Sequence, residues 1–288
     1  TAFTGSIVGE AVCVNHNLEA GNALLLEFEK LIKDGKCNDW TGTLRTGVDL
    51  GTANIVLSVV DGSNRPIAGA TYASTVVRDG VVVDYIGAIR IVTQLKEQLE
   101  TLLGTNLDAG ACAIPPGILP GNVKAIGNVV ESAGFRLTAI VDEPTAAATV
   151  LGIRDGAVVD VGGGTTGISI LKDGAVIFSG DEPTGGTHMT LTLAGACGIT
   201  TEEAEEMKCD PAQEKTVFPI VKPVVEKMAY IVQGFLKGHS VDTIYLVGGP
   251  CCFEQFEQVF EKILGIPTVK PAVPLLVTPL GIAQNCTE

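Results

Sequence analysis

The sequence predicts an α/β protein of two similar domains that enclose a cleft, and three observations lead to this fold class. One strand–turn–strand pattern occurs at residues 46–62 and again at 157–174, an offset of about 111 residues, which is the size of a domain. Helical segments such as 92–104 lie between apolar strands, as expected for mixed sheets flanked by helices. Hydrophobic residues make up 46% of the chain and charged residues 18%, so the chain can bury a large core.

The two copies of the repeat share the order of their residues. The first reads TGVDLGTANIVLSVVDG and the second AVVDVGGGTTGISILKDG. In each copy an apolar strand leads to an aspartate, Asp49 or Asp160, and a Gly/Thr-rich turn, a second apolar strand and an Asp-Gly pair follow. The pattern predicts a β-hairpin in each domain. Two unrelated hairpins with glycine turns are the alternative interpretation.

The glycines of the second copy also match a dinucleotide-binding fingerprint. Gly162, Gly164 and Gly167 have its G-x-G-x-x-G spacing. That fingerprint must close a strand-to-helix turn, because the pyrophosphate sits on the N-terminus of the helix. Here two short apolar runs separated by Asp-Gly follow Gly167, which is typical of a hairpin. The context therefore argues against a dinucleotide fold.

The charge and hydropathy of the chain argue against several function classes. The formal net charge is −14, whereas nucleic-acid phosphates require a basic surface, so no nucleic-acid partner is expected. An anionic membrane surface is disfavoured for the same reason. No apolar run reaches the roughly 20 residues needed to span a bilayer, and the first residues lack the pattern of a signal peptide. These features predict a cytoplasmic protein without membrane contact.

The eight cysteines show neither a disulfide framework nor a zinc pattern. No C-x-x-C pair occurs among positions 13, 37, 112, 197, 209, 251, 252 and 286. Buried free thiols in a reducing compartment are the expectation.

A Gly/Thr turn of this kind suits phosphate, and the aspartate before it suits a bridging cation. The turn presents backbone N–H groups and hydroxyls to one concave spot. A carboxylate beside phosphate is repulsive unless a cation lies between them, and Mg²⁺, held largely through water, is the natural bridge. The sequence therefore predicts that two facing hairpins clamp a polyphosphate, with magnesium near Asp49 and Asp160.

Three further segments are candidates for the same cleft. Residues 140–149 place Glu143 at the start of an alanine-rich helix, where its carboxylate would orient or deprotonate a water, or would only cap the helix. A later strand ends in Gly248 and Gly249, which would let a flat base lie against the backbone or would only turn the chain. The loop at 185–187 is a weaker candidate.

The segment before the first hairpin contains one predicted amphipathic helix. Within residues 18–36, an apolar face is formed by Leu24, Phe28, Leu31 and Ile32 at helical spacing. Packing on the first domain is the expectation, and docking to a partner is the alternative.

Taken together, the motifs resemble the nucleotide-binding signature of the actin-like ATPase superfamily, which includes the DnaK-type chaperones. The motifs are, in order, DLGTAN (49–54), DEPTAAA (142–148), DVGGGTTG (160–167), LVGGP (246–250) and TPLGIA (278–283). They resemble the first phosphate loop, the first connecting helix, the second phosphate loop, the adenosine motif and the second connecting helix. The resemblance implies an actin-like fold with ATP and Mg²⁺ in the cleft.

A second group of segments resembles the EutJ family, compact actin-like proteins encoded with ethanolamine-utilisation systems. The segments are VVRDGVVVDYIGA (76–88), VVESAGF (129–135), DEPTGGTHMTLTLAG (181–195), EEAEEMK (202–208) and KPVVEKMAYIV (222–232). The resemblance implies a chaperone-like or assembly role toward ethanolamine ammonia-lyase or the bacterial microcompartment that houses it. It also implies a location in the cytoplasm, either free or associated with the microcompartment.

The resemblance also implies a role for each candidate site residue. Asp49 and Asp160 would hold Mg²⁺ through water. Glu143 and Asp160 would serve catalysis, Glu143 by orienting the attacking water. Phosphate contacts fall to Gly51, Thr52, Ala53, Gly163, Gly164, Thr165 and Thr166. Other nucleotide contacts fall to Gly186, Gly248 and Gly249, and to Lys222 and Glu226 at the ribose or base, unless these last two form only a solvated helix face.

The chain departs from the DnaK-type pattern in one respect. Those chaperones place a lysine of the first domain near the γ-phosphate, whereas this chain has no lysine between Lys36 and Lys96. Arg78 or Arg90 could substitute, but a guanidinium fork differs in shape from a compact ammonium. Slow or partner-stimulated hydrolysis is therefore expected.

The order of the motifs gives the expected domain boundaries. Residues 1–40 form an N-terminal extension, 41–142 with 272–288 form domain I, 143–157 form a connecting helix and 158–271 form domain II. Two other functions stay open. One is a filament-forming scaffold of the actin-like type. The other is a small-molecule kinase, which would need a cluster of acidic and amide residues that the sequence does not show.

Overall fold

Two five-stranded sheets flanked by helices form the body of the protein. The computed structural model describes residues 10–78 and 80–287, and side chains from residue 18 onwards. The strands are β1 (Arg45–Leu50), β2 (Asn54–Val60), β3 (Pro66–Ala73), β4 (Val77–Arg78), β5 (Val81–Val82), β6 (Ala109–Ile114), β7 (Arg136–Asp142), β8 (Gly156–Val161), β9 (Thr166–Lys172), β10 (Ala175–Glu182), β11 (Ile244–Val247) and β12 (Thr268–Val269). The helices are α1 (Glu10–Asp34), α2 (Tyr85–Leu103), α3 (Pro120–Ser132), α4 (Glu143–Leu151), α5 (Gly186–Cys197), α6 (Thr201–Cys209), α7 (Glu214–Phe235), α8 (Phe256–Leu264) and α9 (Val277–Asn285).

The two large sheets have the same strand order and the same strand directions. The first runs β3-β2-β1-β6-β7 and the second runs β10-β9-β8-β11-β12. In each sheet the first three strands are antiparallel and the last two join in parallel. The predicted α/β class, with duplicated domains of mixed sheets, is therefore confirmed. The domain boundaries themselves remain a prediction.

Both predicted hairpins form. Strands β1 and β2 pair with Asp49 opposite Val56, and β8 and β9 pair with Asp160 opposite Gly167. Strand β9 then turns back into β10 through Asp173 and Gly174, both at positive φ (55° and 80°). Positive φ at both turn residues is what a two-residue hairpin loop of type I′ requires, and Asp-Gly supplies it readily. The run after the glycines is thus a strand and not a helix, as the sequence predicts.

Each sheet packs its outer face against helices of its own half. In the first half, Leu57 of β2 and Leu95 of α2 belong to one buried cluster. In the second half, Ile168 of β9 and Met228 of α7 belong to another. All four side chains are fully or almost fully buried. Alternation along each strand sends the intervening residues to the opposite, inner face of the sheet.

A third buried cluster lies between the two sheets and joins the halves. It contains Val56 of the first sheet, Val158 of the second, and Leu151 and Leu280 of the helices α4 and α9. These two helices cross closely, because a Cβ on Gly281 would lie only 1.9 Å from the carbonyl oxygen of Ala146. The connecting helices therefore hold both halves at the base of the cleft.

The N-terminal helix α1 packs within its own chain. Leu25 and Phe28 are fully buried, and a Cβ on Gly69 of β3 would lie 2.4 Å from the Phe28 ring. The Asn22 Oδ1 atom accepts a 2.7 Å hydrogen bond from the Ala272 amide. Packing on the first sheet is thus observed. The apolar face that a docking partner would need is already covered.

Two helices differ in extent from the sequence expectation. Helix α2 begins at Tyr85 instead of residue 92, because the Asp84 carboxylate caps it by accepting from the Gly87 amide. Helix α4 fills only part of 143–157, since Gly152 ends it at φ 64°. None of the helices in the described part of the chain is long and apolar enough to cross a bilayer.

The expectation of buried thiols is correct for only some cysteines. All seven cysteines with described side chains are free. The buried ones are Cys112, Cys251 and Cys286, and the exposed ones are Cys197, Cys209 and Cys252, with Cys37 between these classes. Exposure follows from their places at helix and loop ends, which composition does not reveal.

Candidate functional site

A cleft of about 1000 Å³ opens between the two halves of the protein. Both predicted turns line it, as do the start of α4, the loop at 185–187 and the glycine loop after β11. Each of these segments follows the carboxyl end of a strand, so the duplicated topology brings them to one place. The site is therefore assembled by the fold from distant parts of the chain.

The first turn lies between β1 and β2. A Cβ on Gly51 would lie 2.7 Å from the carbonyl oxygen of Asn54, so this position has no room for a side chain. Thr52 and Ala53 follow at the cleft surface. The turn thus exposes backbone and a hydroxyl to the cleft.

The second turn faces the first. A Cβ on Gly163 would lie 3.1 Å from Cβ of Thr52 and 3.5 Å from Cβ of Ala53. The Gly162 amide closes the turn by donating to the Thr165 carbonyl at 3.0 Å. Glycine at 163 therefore keeps the two turns in close contact. This is the geometry of a clamp with one half from each domain.

The N-terminus of α5, with Gly185 as its N-cap, stacks on the second turn. The Gly186 amide donates to the Gly162 carbonyl (2.9 Å), and the Thr187 amide donates to the Gly163 carbonyl (2.7 Å). A Cβ on Gly185 would lie 2.6 Å from the same Gly162 oxygen. These bonds fix the position of the glycine run, and they occupy the Gly186 amide with a protein acceptor.

Three carboxylates line the cleft around the two turns: Asp49, Glu143 and Asp160. Burial, and to a smaller extent the nearby charge of Asp160, raise the pKa of Asp49 to about 7. Burial and then the charges of Asp160 and Asp49 raise the pKa of Glu143 well above its usual value. Removal from water and mutual repulsion therefore both disfavour the fully ionised cluster.

The alternative role considered for Glu143, capping of the helix, is performed by its neighbour Asp142. The Asp142 carboxylate accepts from the Thr145 amide (3.0 Å) and from the Thr145 hydroxyl (2.7 Å). Asp142 is therefore the N-cap of α4, and Glu143 is left facing the cleft.

Asp160 is held in place from the other half of the protein. The Thr278 hydroxyl, in α9, donates to Asp160 Oδ2 at 2.8 Å. Burial raises the pKa of Asp160, while this hydrogen bond acts in the opposite direction. Thr278 thus fixes the orientation of Oδ2, and the other carboxylate oxygen, Oδ1, lies near the backbone of Gly248.

A divalent cation fits this cluster when water and phosphate oxygens supply most of its ligands and the carboxylates lie beside it. Crowded carboxylates of raised pKa are stabilised by a nearby cation, and carboxylate oxygen is what Mg²⁺ prefers. In the part of the chain that the structure describes, no group of three or more His, Cys, Asp or Glu residues is placed to hold a metal directly. Carboxylate oxygens such as those of Asp49 and Asp160 are a donor type that Mg²⁺ accepts, and magnesium at this site stays a prediction.

The far end of the cleft is formed by the glycine loop after β11. Gly248 has φ 97°, and a Cβ there would lie 2.1 Å from the Val161 carbonyl oxygen. Only glycine fits this position. Gly249 and Pro250 follow and line the cleft.

Helix α6 brings a charged pair to this end that sequence reasoning missed. The Lys208 ammonium donates to Glu205 Oε2 (2.6 Å), to the Thr190 hydroxyl (2.8 Å) and to the Gly186 carbonyl (3.3 Å). Although burial alone would raise it, the hydrogen bond from Lys208 lowers the pKa of Glu205. The available signal was the Glu-x-x-Lys spacing within EEAEEMK, which places both side chains on one helix face.

Most of the predicted site residues come together in the cleft. They are Asp49, Gly51, Thr52, Ala53, Glu143, Asp160, Gly163, Gly164, Thr165, Gly186, Gly248 and Gly249. Thr166 is not among the lining residues: its buried hydroxyl donates to the Thr184 carbonyl. Lys222 and Glu226 also do not line it and pair with each other at 3.9 Å on α7, with side chains 46% and 44% exposed. Their position fits the solvated helix face that was the alternative.

Known proteins resemble this chain in sequence and in fold. The family model described as cell division protein FtsA matches residues 157–282, and the model described as MreB/Mbl protein matches residues 69–197. Ethanolamine utilization protein EutJ of Salmonella typhimurium is 44% identical over 240 residues, which is 83% of this chain and 84% of that protein.

Two solved structures extend the comparison. Ethanolamine utilization protein EutJ from Carboxydothermus hydrogenoformans superimposes with a TM-score of 0.89 at 47% identity, covering 93% of this chain and 98% of that one. MreB 5 of Spiroplasma citri, bound to AMPPNP, superimposes with a TM-score of 0.70 at 18% identity, covering 84% and 95%. The second likeness shows the actin-like fold alone.

Proposed function

The chain belongs to the EutJ family of ethanolamine utilization proteins, and on this premise we propose that it is an ATP-binding factor that acts on a protein partner. The partner would be ethanolamine ammonia-lyase or a component of its microcompartment, and the protein would work in the cytoplasm or at the microcompartment. One observation carries the nucleotide part: the two Gly/Thr turns meet at Thr52 and Gly163, in a cleft that holds Asp49, Glu143 and Asp160.

ATP with Mg²⁺ is the ligand that this chemistry supports. Backbone amides and hydroxyls of two facing turns suit a polyphosphate. When bound, Mg²⁺ would neutralise phosphate charge beside Asp49 and Asp160. The solved structure of MreB 5, which has the same fold, contains AMPPNP. The nucleoside would lie at the end of the cleft that Gly248 and Lys208 line.

Each cleft residue has a defined task in this proposal. Glu143, which faces the cleft and does not cap α4, orients the attacking water and accepts its proton. Thr278 positions the Asp160 carboxylate through their hydrogen bond. Lys208 and Glu205 supply polar contacts for the ribose or base.

Hydrolysis is expected to be slow. Among the described residues that line the cleft, Lys208 is the single cation, and it is engaged with Glu205 and Thr190 beside the glycine loop. Arg78 and Arg90 are exposed and do not line the cleft. Little positive charge is therefore available to offset the charge that develops on the γ-phosphate. A partner that supplies a cation would accelerate the reaction.

Nucleotide would control the partner through closure of the cleft. The two halves are joined by α4 and α9, which cross at Gly281 and Ala146. ATP that binds both turns favours the closed arrangement by its higher affinity for that state. A surface that spans or borders the cleft then changes shape, which is the means by which an assembly factor can bind and release a client.

Calorimetric titration with ATP, with and without Mg²⁺, tests the proposal. We expect binding that depends on Mg²⁺ in the wild-type protein and in Lys222→Ala, whose side chain lies outside the cleft. Asp160→Ala should lose the Mg²⁺ dependence. Glu143→Gln should bind ATP and lose the slow hydrolysis measured by phosphate release.

Two results would overturn the proposal. A folded wild-type protein that binds no ATP would remove the nucleotide from the function. Equal binding by Asp160→Ala would place the ligand elsewhere. Circular dichroism of each variant establishes that it is folded.

A further inference from the structure

Helix α1 contacts both halves of the protein. Its later turns pack on the first sheet, where Phe28 is fully buried and its ring leaves no room for a Cβ on Gly69 of β3. An earlier turn contacts the segment that follows β12, an edge strand of the second sheet, because the Asn22 Oδ1 atom accepts a 2.7 Å hydrogen bond from the Ala272 amide. One helix therefore connects elements of two separate sheets.

The attachment to the first sheet combines apolar and polar contacts. A Cβ on Gly69 would also lie 2.9 Å from Cγ1 of Ile32, so two large side chains of α1 pack at this point of β3. Glu27 Oε1 accepts a 2.7 Å hydrogen bond from the side-chain amide of Asn38 and pairs with Arg65 at 3.2 Å. Several independent contacts therefore fix the later turns of α1.

The earlier turns of α1 pack against the connecting helix α4 and the core between the sheets. A Cβ on Gly21 would lie 3.1 Å from the Val150 carbonyl oxygen and 3.2 Å from Cδ2 of Leu151, so the two helices approach closely here. Leu25 is fully buried in the cluster that also contains Val158 of the second sheet. This packing places the neighbouring Asn22 against the segment after β12.

The segment that Asn22 holds is also the segment that holds the glycine loop after β11. Two residues beyond Ala272, the carbonyl oxygen of Pro274 accepts a 2.9 Å hydrogen bond from the Gly248 amide. A Cβ on Gly249 would lie 3.2 Å from Cδ1 of Leu275. Gly248 and Gly249 line the cleft. Two hydrogen bonds and two residues of chain therefore separate α1 from the wall of the cleft.

A helix transmits position between its attachments. Asn22 and Phe28 are six residues apart, about 9 Å along a helix axis, and backbone hydrogen bonds between successive turns keep that spacing. Movement of the segment after β12 relative to the first sheet therefore requires release of the hydrogen bond between Asn22 and Ala272. That bond is a single contact, whereas several contacts hold α1 on the first sheet, so it is the attachment that yields first.

We propose that α1 is a strap that fixes the glycine loop of the second half relative to the first sheet, through Asn22, Ala272 and Pro274. Release of Asn22 frees the segment after β12 and, with it, the loop. The effect of this release on nucleotide rests on the proposed function, whereas its effect on the mobility of the loop does not.

Hydrogen–deuterium exchange of the full chain, measured by mass spectrometry without nucleotide, tests the inference. Asn22→Ala removes the acceptor of the Ala272 amide. In this variant we expect peptides that cover 247–253 and 271–277 to exchange roughly three- to tenfold faster, since their amides exchange through local opening and one hydrogen bond is lost. Peptides of α3, which lies away from α1 in the first half, should keep their wild-type rates.

Two control variants separate the hydrogen bond from other effects. Asn22→Asp keeps a carboxylate oxygen that can accept from the Ala272 amide, so it should exchange at the wild-type rate in all of these peptides. Leu26→Ala removes an exposed side chain from another face of α1 and should also change nothing.

Three outcomes of the exchange experiment would overturn the inference. Unchanged exchange at 247–253 in Asn22→Ala, including a change confined to 271–277, would show that α1 does not hold the loop. Equal acceleration in Asn22→Asp would show that the hydrogen bond is not responsible. Acceleration throughout the chain, α3 included, would show that α1 only stabilises the fold.

The dissociation rate of a fluorescent ATP analogue measures the consequence for the cleft. We expect faster dissociation from Asn22→Ala than from Asn22→Asp, because the freed loop no longer retains the nucleoside. Equal rates would overturn the link between α1 and nucleotide. A wild-type protein that binds no analogue would overturn the proposed function instead, and the exchange result would stand without it.

Discussion

The Thr278 hydroxyl donates a 2.8 Å hydrogen bond to Oδ2 of Asp160, although the two residues are 118 positions apart in the chain. Thr278 lies in the second connecting helix, α9, and Asp160 lies at the end of β8. Both residues line the cleft. The connecting helix is therefore linked directly to a carboxylate of the candidate magnesium site, so movement of the helix would move that carboxylate.

Replacement of Thr278 by valine should weaken Mg²⁺-dependent ATP binding. Valine keeps the shape of threonine but cannot donate to Asp160, and the carboxylate is left buried with one fewer partner. A hydrogen bond to a charged group contributes about 1.5–3 kcal/mol, so we expect about a tenfold loss of affinity or more by calorimetry. Thr278→Ser keeps the hydroxyl and should bind nearly as the wild type does. Equal losses in both variants would point to packing instead of the hydrogen bond.

The ligand-free protein should lose stability as the pH rises from about 4 to about 7, in part because of Asp49. Burial, together with the nearby charge of Asp160, raises the pKa of Asp49 from 3.8 to about 7. The folded state then holds a proton over this range that the unfolded state releases, so the free energy of unfolding falls with pH. Asp49→Asn removes this contribution and should raise the melting temperature at pH 8.

Melting curves of both proteins at pH 4.5 and pH 8 measure the effect. The difference between wild type and Asp49→Asn should be small at the lower pH and larger at the higher one, at about 3 °C for each kcal/mol regained. The difference between the curves reports on Asp49 together with its repulsion of Glu143, because the charge of Asp49 also raises the pKa of Glu143. A constant difference at all pH values would contradict the raised pKa.

The parts of the site that the sequence predicts are those with a local signal. Each hairpin carries its own glycines, aspartate and Asp-Gly turn within about 18 residues, and short-range turn chemistry determines such a structure. The repeat then indicates that Asp49 and Asp160 occupy equivalent places. The two turns contact each other at Thr52 and Gly163, and this contact follows once the two domains face each other.

The contacts that the sequence does not predict depend on how helices pack. Two Glu/Lys pairs on helices are equally plausible from spacing alone: Glu205 with Lys208, and Lys222 with Glu226. Only the packing of α6 beside α5 brings the first pair to the cleft, where Lys208 reaches Thr190. The second pair faces solvent on α7. Helical spacing identifies a face but not what that face contacts.

Substitutions in α1 separate its structural contribution from any docking role. Phe28 is fully buried against Gly69, so Phe28→Ala should destabilise the protein by about 3–5 kcal/mol. Leu26 is 51% exposed on the opposite side, and Leu26→Ala should change stability by about 0.5 kcal/mol or less. Urea unfolding measures both. If Leu26→Ala also retains co-purification of the partner, the exposed face of α1 is not a docking surface.

The crossing of α4 and α9 should tolerate no side chain at Gly281. A Cβ there would lie 1.9 Å from the Ala146 carbonyl oxygen, so the helices must separate or distort. We expect Gly281→Ala to destabilise the protein by about 3 kcal/mol or more in urea unfolding. Gly195→Ala is the matched control, because this exposed glycine lies inside α5 with nothing within 4 Å of the added methyl group. That variant should gain about 0.5–1 kcal/mol from helix propensity, and a loss of stability there would show that the two glycines do not differ as the packing requires.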